Sequence, residues 1–376
     1  MLSLYEASYL GKEGEVVLIE AMDFTTKHLK NLMEEGSLEP RFGEHVAYAL
    51  ELPLNWRMER IHARWFIETY QSEATMNPLV LELAKLDFNL IQSMHTRELK
   101  EVSRWWTDPG LAQRLPFFRD RLMENYFWTV GWAFEPQFWS FREMQPKLVS
   151  LITVIDNVYD IYGPLDELEH FTNVMRNSYL TLSTHEHYII YDRHNVCCSE
   201  HFKWDVNTID KLLGYMKLCF LVVFNMTNDA GYRVMKNKDL DIIPYLKSAV
   251  IYTTLIYFLS SLTHQPPHTF LLRIIPLGSA ELARGDVPKS IQCYKHEKNV
   301  SEDVAREKVR EAISVNWRAL NEYRTSSSPL EEHFKRVTIN IPRLAQFLYK
   351  CGDGYDIPDG ETKNQVMLLF IQPIEF

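Results

Sequence analysis

The sequence has no basic stripe. Its formal charge is −10 over 376 residues, and a nucleic-acid backbone requires clustered Lys and Arg that this chain does not present. Nucleic acid is therefore excluded as a partner, and a diphosphate ligand would need metal ions to offset its charge. Cysteine is scarce: Cys197, Cys198, Cys219, Cys293 and Cys351 show no paired metal-ligand spacing. Their odd number reads as reduced thiols of an intracellular compartment rather than a disulfide frame. No Gly/Ser-rich linker or low-complexity tract divides the chain, so any domain boundary must be packed. Long apolar runs are missing as well. Ser248 to Leu262, with Lys247 at its edge, falls short of the ~20 residues that a bilayer-spanning helix needs, so no membrane span is expected. The start of the chain carries neither a secretory signal nor an Arg/Ser-rich leader.

What is present is helical periodicity. Leu18, Met22, Leu29 and Met33 form one apolar stripe, and Leu79, Leu83, Leu86 and Leu90 form another. Asn77-Pro78 opens a helix, Asn299 and Glu302 have the spacing of a capping box, and Gly163-Pro164 stops a helix. These signs predict an all-α protein, with connectors at Gly36–Pro40 and Leu52–Asn55 and a soft boundary near residue 66. The stretch from Ser248 to Leu277 lacks the amphipathic rhythm of its neighbours. The 13% aromatic content suits either a large apolar cavity or simply a large core.

The stretch most informative about chemistry is Leu151–Gly163. In an α-helix, Asp156 and Asp160 lie one turn apart on the face of Val149 and Thr153, while Asn157 points about 100° away. Gly163-Pro164 puts both carboxylates at a helix C-terminus, where the dipole is already negative and charges at i,i+4 repel. Such a pair suits a cation, and hard oxygen ligands suit Mg²⁺ with waters and phosphates completing its shell. A solvated acidic face has the same spacing. Upstream, Arg119 and Arg121 precede the aromatic run Tyr126-Phe127-Trp128. Guanidinium groups match phosphate in a bidentate way, although a surface ion-pair group backed by core aromatics reads the same.

Together with Asn77-Pro78 through Leu90, Arg104-Trp105-Trp106, Arg284–Ser290 and the near-terminal Gly352-Asp353-Gly354-Tyr355, these residues resemble the plant class I terpene synthases of the monoterpene-type branch. The resemblance implies a class I helical bundle, with residues 1–66 a partial N-terminal helical domain and 67–376 the metal-binding catalytic domain. It implies Mg²⁺ or Mn²⁺ and a prenyl diphosphate substrate such as geranyl diphosphate, ionised with loss of diphosphate to a small terpene. Asp156 and Asp160 match the first and last aspartates of the metal motif, Arg119 the diphosphate-facing arginine and Trp128 a cavity-lining aromatic. Plastid localisation, or alternatively cytoplasmic, and a monomer are expected.

The chain departs from that pattern in four places. Asn157 stands where the second aspartate is usual. In the second metal motif, Glu281 matches the final glutamate and Arg273 the arginine ahead of the motif. No Asp or Asn lies between them, however, and Ser279 is only two residues from Glu281, on nearly the opposite side of a helix. The interval between the motifs is short by about seven or eight helical turns, with 248–277 the abnormal segment. The N-terminal domain is only partly present, without its tandem-arginine leader. Two further readings stand beside the first: a chain-elongating prenyl transferase, which needs two Asp-rich motifs, and a catalytically impaired or inactive pseudoenzyme of the same fold.

Overall fold

The helical punctuation can be followed residue by residue in a computed structural model, which describes residues 1–115, 120–176, 206–244, 246, 290–326, 332–349 and 360–376. Among them every regular element is a helix and no strand occurs. The order is α1 Leu2–Ser8, α2 Val16–Glu34, α3 Pro40–Glu51, α4 Glu59–Tyr70, α5 Pro78–Thr107, α6 Leu111–Arg114, α7 Leu122–Trp132, α8 Trp139–Asn157, α9 Leu165–Arg176, α10 Gly214–Lys238, α11 Ser290–Lys298, α12 Glu302–Thr325, α13 Glu332–Leu348 and α14 Gly360–Phe370. No helix among the described residues is long and apolar enough to cross a membrane, and the stretch Ser248–Leu262 lies outside them.

Caps explain most of the boundaries. The Asn77 side chain accepts hydrogen bonds from the backbone N–H groups of Leu79 (3.0 Å) and Val80 (3.4 Å), opening α5 as expected. Helix α3 starts with Pro40 behind a Glu39 carboxylate that accepts from Phe42 N at 3.0 Å. The start of α12 differs from the expected capping box. Its cap is Ser301, whose hydroxyl accepts from Val304 N, while Asn299 takes a left-handed φ of 50° in the break after α11. Asn tolerates that conformation better than most residues, so its role is to turn the chain rather than cap the helix.

The chain divides into two compact units, one of Met1–Glu98, Phe127–Arg142 and Thr269–Phe376, the other of Leu99–Tyr126 and Glu143–His268. In the first, Tyr5, Leu29, Val46 and Ala49 form one small core. The α5 stripe Leu79, Leu83, Leu86 and Leu90 faces outward, each side chain at least half exposed. The buried face of this part of α5 instead carries Leu81, Lys85, Phe88, Ile91, Gln92 and His95. Lys85 and Gln92 on this face, with Asn89 and Thr96 beside them, are satisfied by the carboxyl-terminal segment, and His95 by Phe134 O. Lys85 donates to Glu375 O at 2.7 Å, Asn89 to Ile374 O at 2.9 Å, Gln92 to Leu368 O at 2.8 Å, and Thr96 to Phe370 O at 2.6 Å. Arg64 adds bonds to Leu368 O and Gln372 O, placing a cation at the C-terminal end of α14.

Burial depresses two histidines of this unit. It pushes His95 down to about 3, with Arg142 adding to the effect, and His62 down to about 4, with Arg57 and His45 adding. Both stay neutral in the folded chain below the unfolded value of about 6.5, so the unfolded state binds more protons there. The stability they contribute is complete above about pH 6.5 and is lost as pH falls toward 4 and then 3. For the buried His95 the slope is at most about 1.4 kcal/mol per pH unit. Urea midpoints measured from pH 7 to pH 5 should therefore fall, and a His95→Gln variant, which retains a donor for Phe134 O, should show a flatter decline.

The second unit is organised around one apolar cluster. Val102, Trp106, Leu151, Val154, Ile155, Val158, Leu168, Phe171, Phe220 and Val223 are buried together. At roughly 25 cal/mol per Å² of apolar surface, burial of this kind is the dominant favourable contribution. Cys219 sits inside the cluster, and burial pushes its thiol up to about 12, which leaves it an inert packing group rather than a nucleophile.

Candidate active site

Helix α8 presents two faces in its last turns. Leu151, Val154, Ile155, Val158 and Tyr159 recur at helical spacing and are buried in the cluster. Ile152, Thr153 and Asp156 lie on the other side and are only partly buried. The apolar face thus fixes the rotation of the helix, and that rotation keeps Asp156 out of the core. On the buried side Tyr159 and Thr172 exchange a hydrogen bond of 2.8 Å between their hydroxyls, and Thr172 also donates to Leu168 O, which locks α9 against the same turn. Further back, Asn125 donates to Ser150 Oγ at 2.8 Å, a buried contact that ties α7 to α8.

The α-helix expected through Asp160 ends at Asn157. Val158–Tyr162 forms a π-turn, closed by a hydrogen bond from Gly163 N to Val158 O at 2.8 Å. A π-turn advances about 80° per residue instead of ~100°, so positions four apart fall about 40° short of a full rotation where in an α-helix they run about 40° past it. Asp156 therefore belongs to the last α-turn and the backbone of Asp160 to the widened one. No basic residue stands in the last turn of either segment. Oxygen donors at the negative end of a helix dipole, without a basic side chain in that turn, fit a divalent cation. Among the described residues no group of three or more His, Cys, Asp or Glu side chains could hold a metal by itself.

Gly163 makes the turn possible. A Cβ at this position would stand 2.5 Å from Leu168 Cδ2 and 2.9 Å from Val158 O, the oxygen that accepts its N–H. Gly163→Ala should cost about 1–3 kcal/mol by overpacking and open the π-turn. The check is a lowered melting temperature of the metal-free protein, together with faster amide exchange in the turn.

Toward the start of α8, Glu143 accepts from Arg233 at 2.7 Å and pairs with Lys147 at 3.3 Å. Burial pushes its carboxyl up, but the hydrogen bonds and charges of Arg233 and Lys147 outweigh this and hold it below the usual range. Trp128 lies on α7 in the first unit, partly buried, with its ring edge-on to Trp132 at 6.0 Å between centroids. Arg119, Arg273 and Glu281 lie outside the described residues, as do Ser279 and the Gly352–Tyr355 run. The residue that sequence reasoning underrates is Asn157. Its side-chain amide donates to Thr153 O at 2.7 Å, back along the helix. The signal for this is the amide itself, a donor where an aspartate has none.

The comparisons with known proteins point one way. Family models described as "Terpene synthase, N-terminal domain", "Terpene synthase family, metal binding domain" and "Terpene synthase family 2, C-terminal metal binding" match residues 1–50, 107–261 and 279–319. Monoterpene synthase 7, chloroplastic, of Hedychium coronarium is 48% identical, with all of this chain covering 68% of that protein. That alignment runs over 429 positions, 53 more than the 376 residues here, so at least that many positions of the relative lack a counterpart. Myrcene synthase, chloroplastic, of Quercus ilex is 38% identical, covering 67% of its length. Among solved structures, limonene synthase with 2-fluorolinalyl diphosphate matches at a TM-score of 0.86 and 34% identity, covering all of this chain and 74% of that one. Isoprene synthase of grey poplar (Populus x canescens) in complex with three Mg²⁺ ions and dimethylallyl-S-thiolodiphosphate matches at 0.83 and 34%, covering all of this chain and 76% of that one. With its all-helical fold, its Asp-bearing π-turn and relatives of this identity over its whole length, the chain belongs to the plant terpene synthase family.

Proposed function

We propose that this terpene synthase ionises geranyl diphosphate with Mg²⁺ and releases a monoterpene, and that Asp156 and Asp160 hold the metal. The observation that carries the reading is the end of α8, where a partly buried carboxylate and a second aspartate stand on consecutive turns with no basic residue in either. When bound, the cation supplies positive charge against the diphosphate oxygens and so favours departure of the leaving group. The chain's own part is to orient and to exclude water. Asp156 is aimed by the apolar face of α8. In this reading Arg119 and Arg273 clamp the diphosphate in bidentate fashion, Trp128 lines the cavity with a ring face that stabilises a cation, and Glu281 contributes to a second metal position. The metal-binding models and the relatives named as monoterpene synthases support it.

Residues 1–66 form the partial N-terminal domain in this reading, and the catalytic domain runs from 67 to 376. In this reading the protein works in the plastid, which relatives whose names carry the word chloroplastic support, and as a monomer. The test is purified protein incubated with geranyl diphosphate and either Mg²⁺, Mn²⁺ or EDTA, with the volatile products identified by mass spectrometry. A monoterpene formed with metal and absent with EDTA is the expected result. Its absence under every metal condition, or turnover of dimethylallyl diphosphate alone, would overturn the substrate assignment.

A further inference from the structure

We propose that Asn157 is a positioning residue, which holds the α-to-π junction of the metal site in place without a bound cation. The proposal rests on the reading that Asp156 and Asp160 are the metal carboxylates. The Asn157 amide donates to Thr153 O at 2.7 Å, and the Thr153 hydroxyl donates to Val149 O at 3.0 Å. These two bonds run down the less buried side of α8, away from the buried residues Val154, Ile155 and Val158. The junction is thus fastened on both sides, by packing on one and by side-chain-to-backbone bonds on the other, immediately before the turn closed by Gly163 N.

An aspartate at this position could not do the same. An ionised carboxylate is an acceptor only, so its oxygen would stand against the Thr153 carbonyl with no proton between them. The side chain would have to swing away, and a third negative charge would join Asp156 and Asp160 at the negative end of the helix dipole. Order at the junction would then depend on a cation. With Asn157 the metal site has one carboxylate fewer, and the carbonyl of Thr153 gains a partner that needs no metal.

The test compares the full chain with N157D, N157A and D156A by thermal unfolding in EDTA and in MgCl₂ with inorganic pyrophosphate. Loss of one neutral hydrogen bond, at the unfolding entropy of a 376-residue chain, corresponds to a drop in melting temperature of roughly 1 °C. In EDTA both N157D and N157A should melt lower by about that amount. Mg²⁺ with pyrophosphate should restore N157D to the parent value or above, while N157A stays low. Hydrogen exchange on the parent adds a measurement that does not depend on the variants folding: amides of 153–163 should be protected already in EDTA. The proposal is overturned if N157D matches the parent in EDTA, if N157A recovers as fully as N157D, or if the parent amides become protected only with metal. Failure of the underlying reading looks different, because D156A would then keep the parent's full Mg²⁺-pyrophosphate shift whatever the Asn157 variants do.

Discussion

Asp156→Ala is expected to lower kcat/KM for geranyl diphosphate by about 10²–10³ fold, the range seen when one preorganised electrostatic contact to a developing charge is removed. The loss should fall mainly on kcat, because the carboxylate acts where the leaving group takes up charge and contributes less to holding the hydrocarbon chain. Fold stability in EDTA should change little, since the side chain is only partly buried. That separation is the informative part. A variant that is equally stable without metal, loses turnover and shows a weaker Mg²⁺-pyrophosphate thermal shift places the defect in the site and leaves the scaffold intact. Undiminished turnover would remove Asp156 from the proposed role.

Much of this site is legible in the order of its amino acids, and the parts that are not have physical reasons. The Asp-x-x-x-Asp spacing at the end of an apolar helix is visible in Ile155-Asp156 and Tyr159-Asp160, and so is the stop at Gly163. The π-turn is not, because four-residue spacing is compatible with either helix type, and only the Gly163 N to Val158 O bond distinguishes them. Periodicity finds the Leu79, Leu83, Leu86 and Leu90 stripe but not its direction. The opposite face of α5 looks too polar to be inside, with Lys85, Gln92 and His95 on it. It is buried because Lys85 and Gln92 meet a tail almost three hundred residues further along the chain, and His95 meets Phe134 O. A single sequence gives the period of an amphipathic helix, whereas the covering partner is a long-range fact. Asn299 is not a cap for a local reason: Asn suits both a cap and a left-handed turn, and Ser301 is the better cap two residues later.

Arg142→Met is expected to lower the stability of the first unit by about 3–5 kcal/mol, the cost of breaking a buried pair by removing one partner. The Arg142 side chain is fully buried on α8 and pairs bidentately with Glu98 of α5, at 2.7 and 2.9 Å. Its remaining nitrogen donates to the carbonyls of Ala133 and Glu135 at 2.9 and 2.7 Å, in the chain leaving α7. One planar guanidinium therefore fastens three segments, and its fork geometry is what lysine cannot reproduce. Methionine fills much of the volume but removes the ion pair with Glu98 and the two hydrogen bonds to the Ala133 and Glu135 carbonyls, so packing cannot compensate. The double variant Arg142→Met with Glu98→Leu should recover a substantial part of the loss, because the carboxylate that Arg142 neutralises is then gone. Urea unfolding of the two single variants and the double variant closes the cycle. A coupling energy near zero would mean that the two side chains contribute independently and that the carbonyl contacts of Arg142, rather than its ion pair with Glu98, hold the end of α7 against α5.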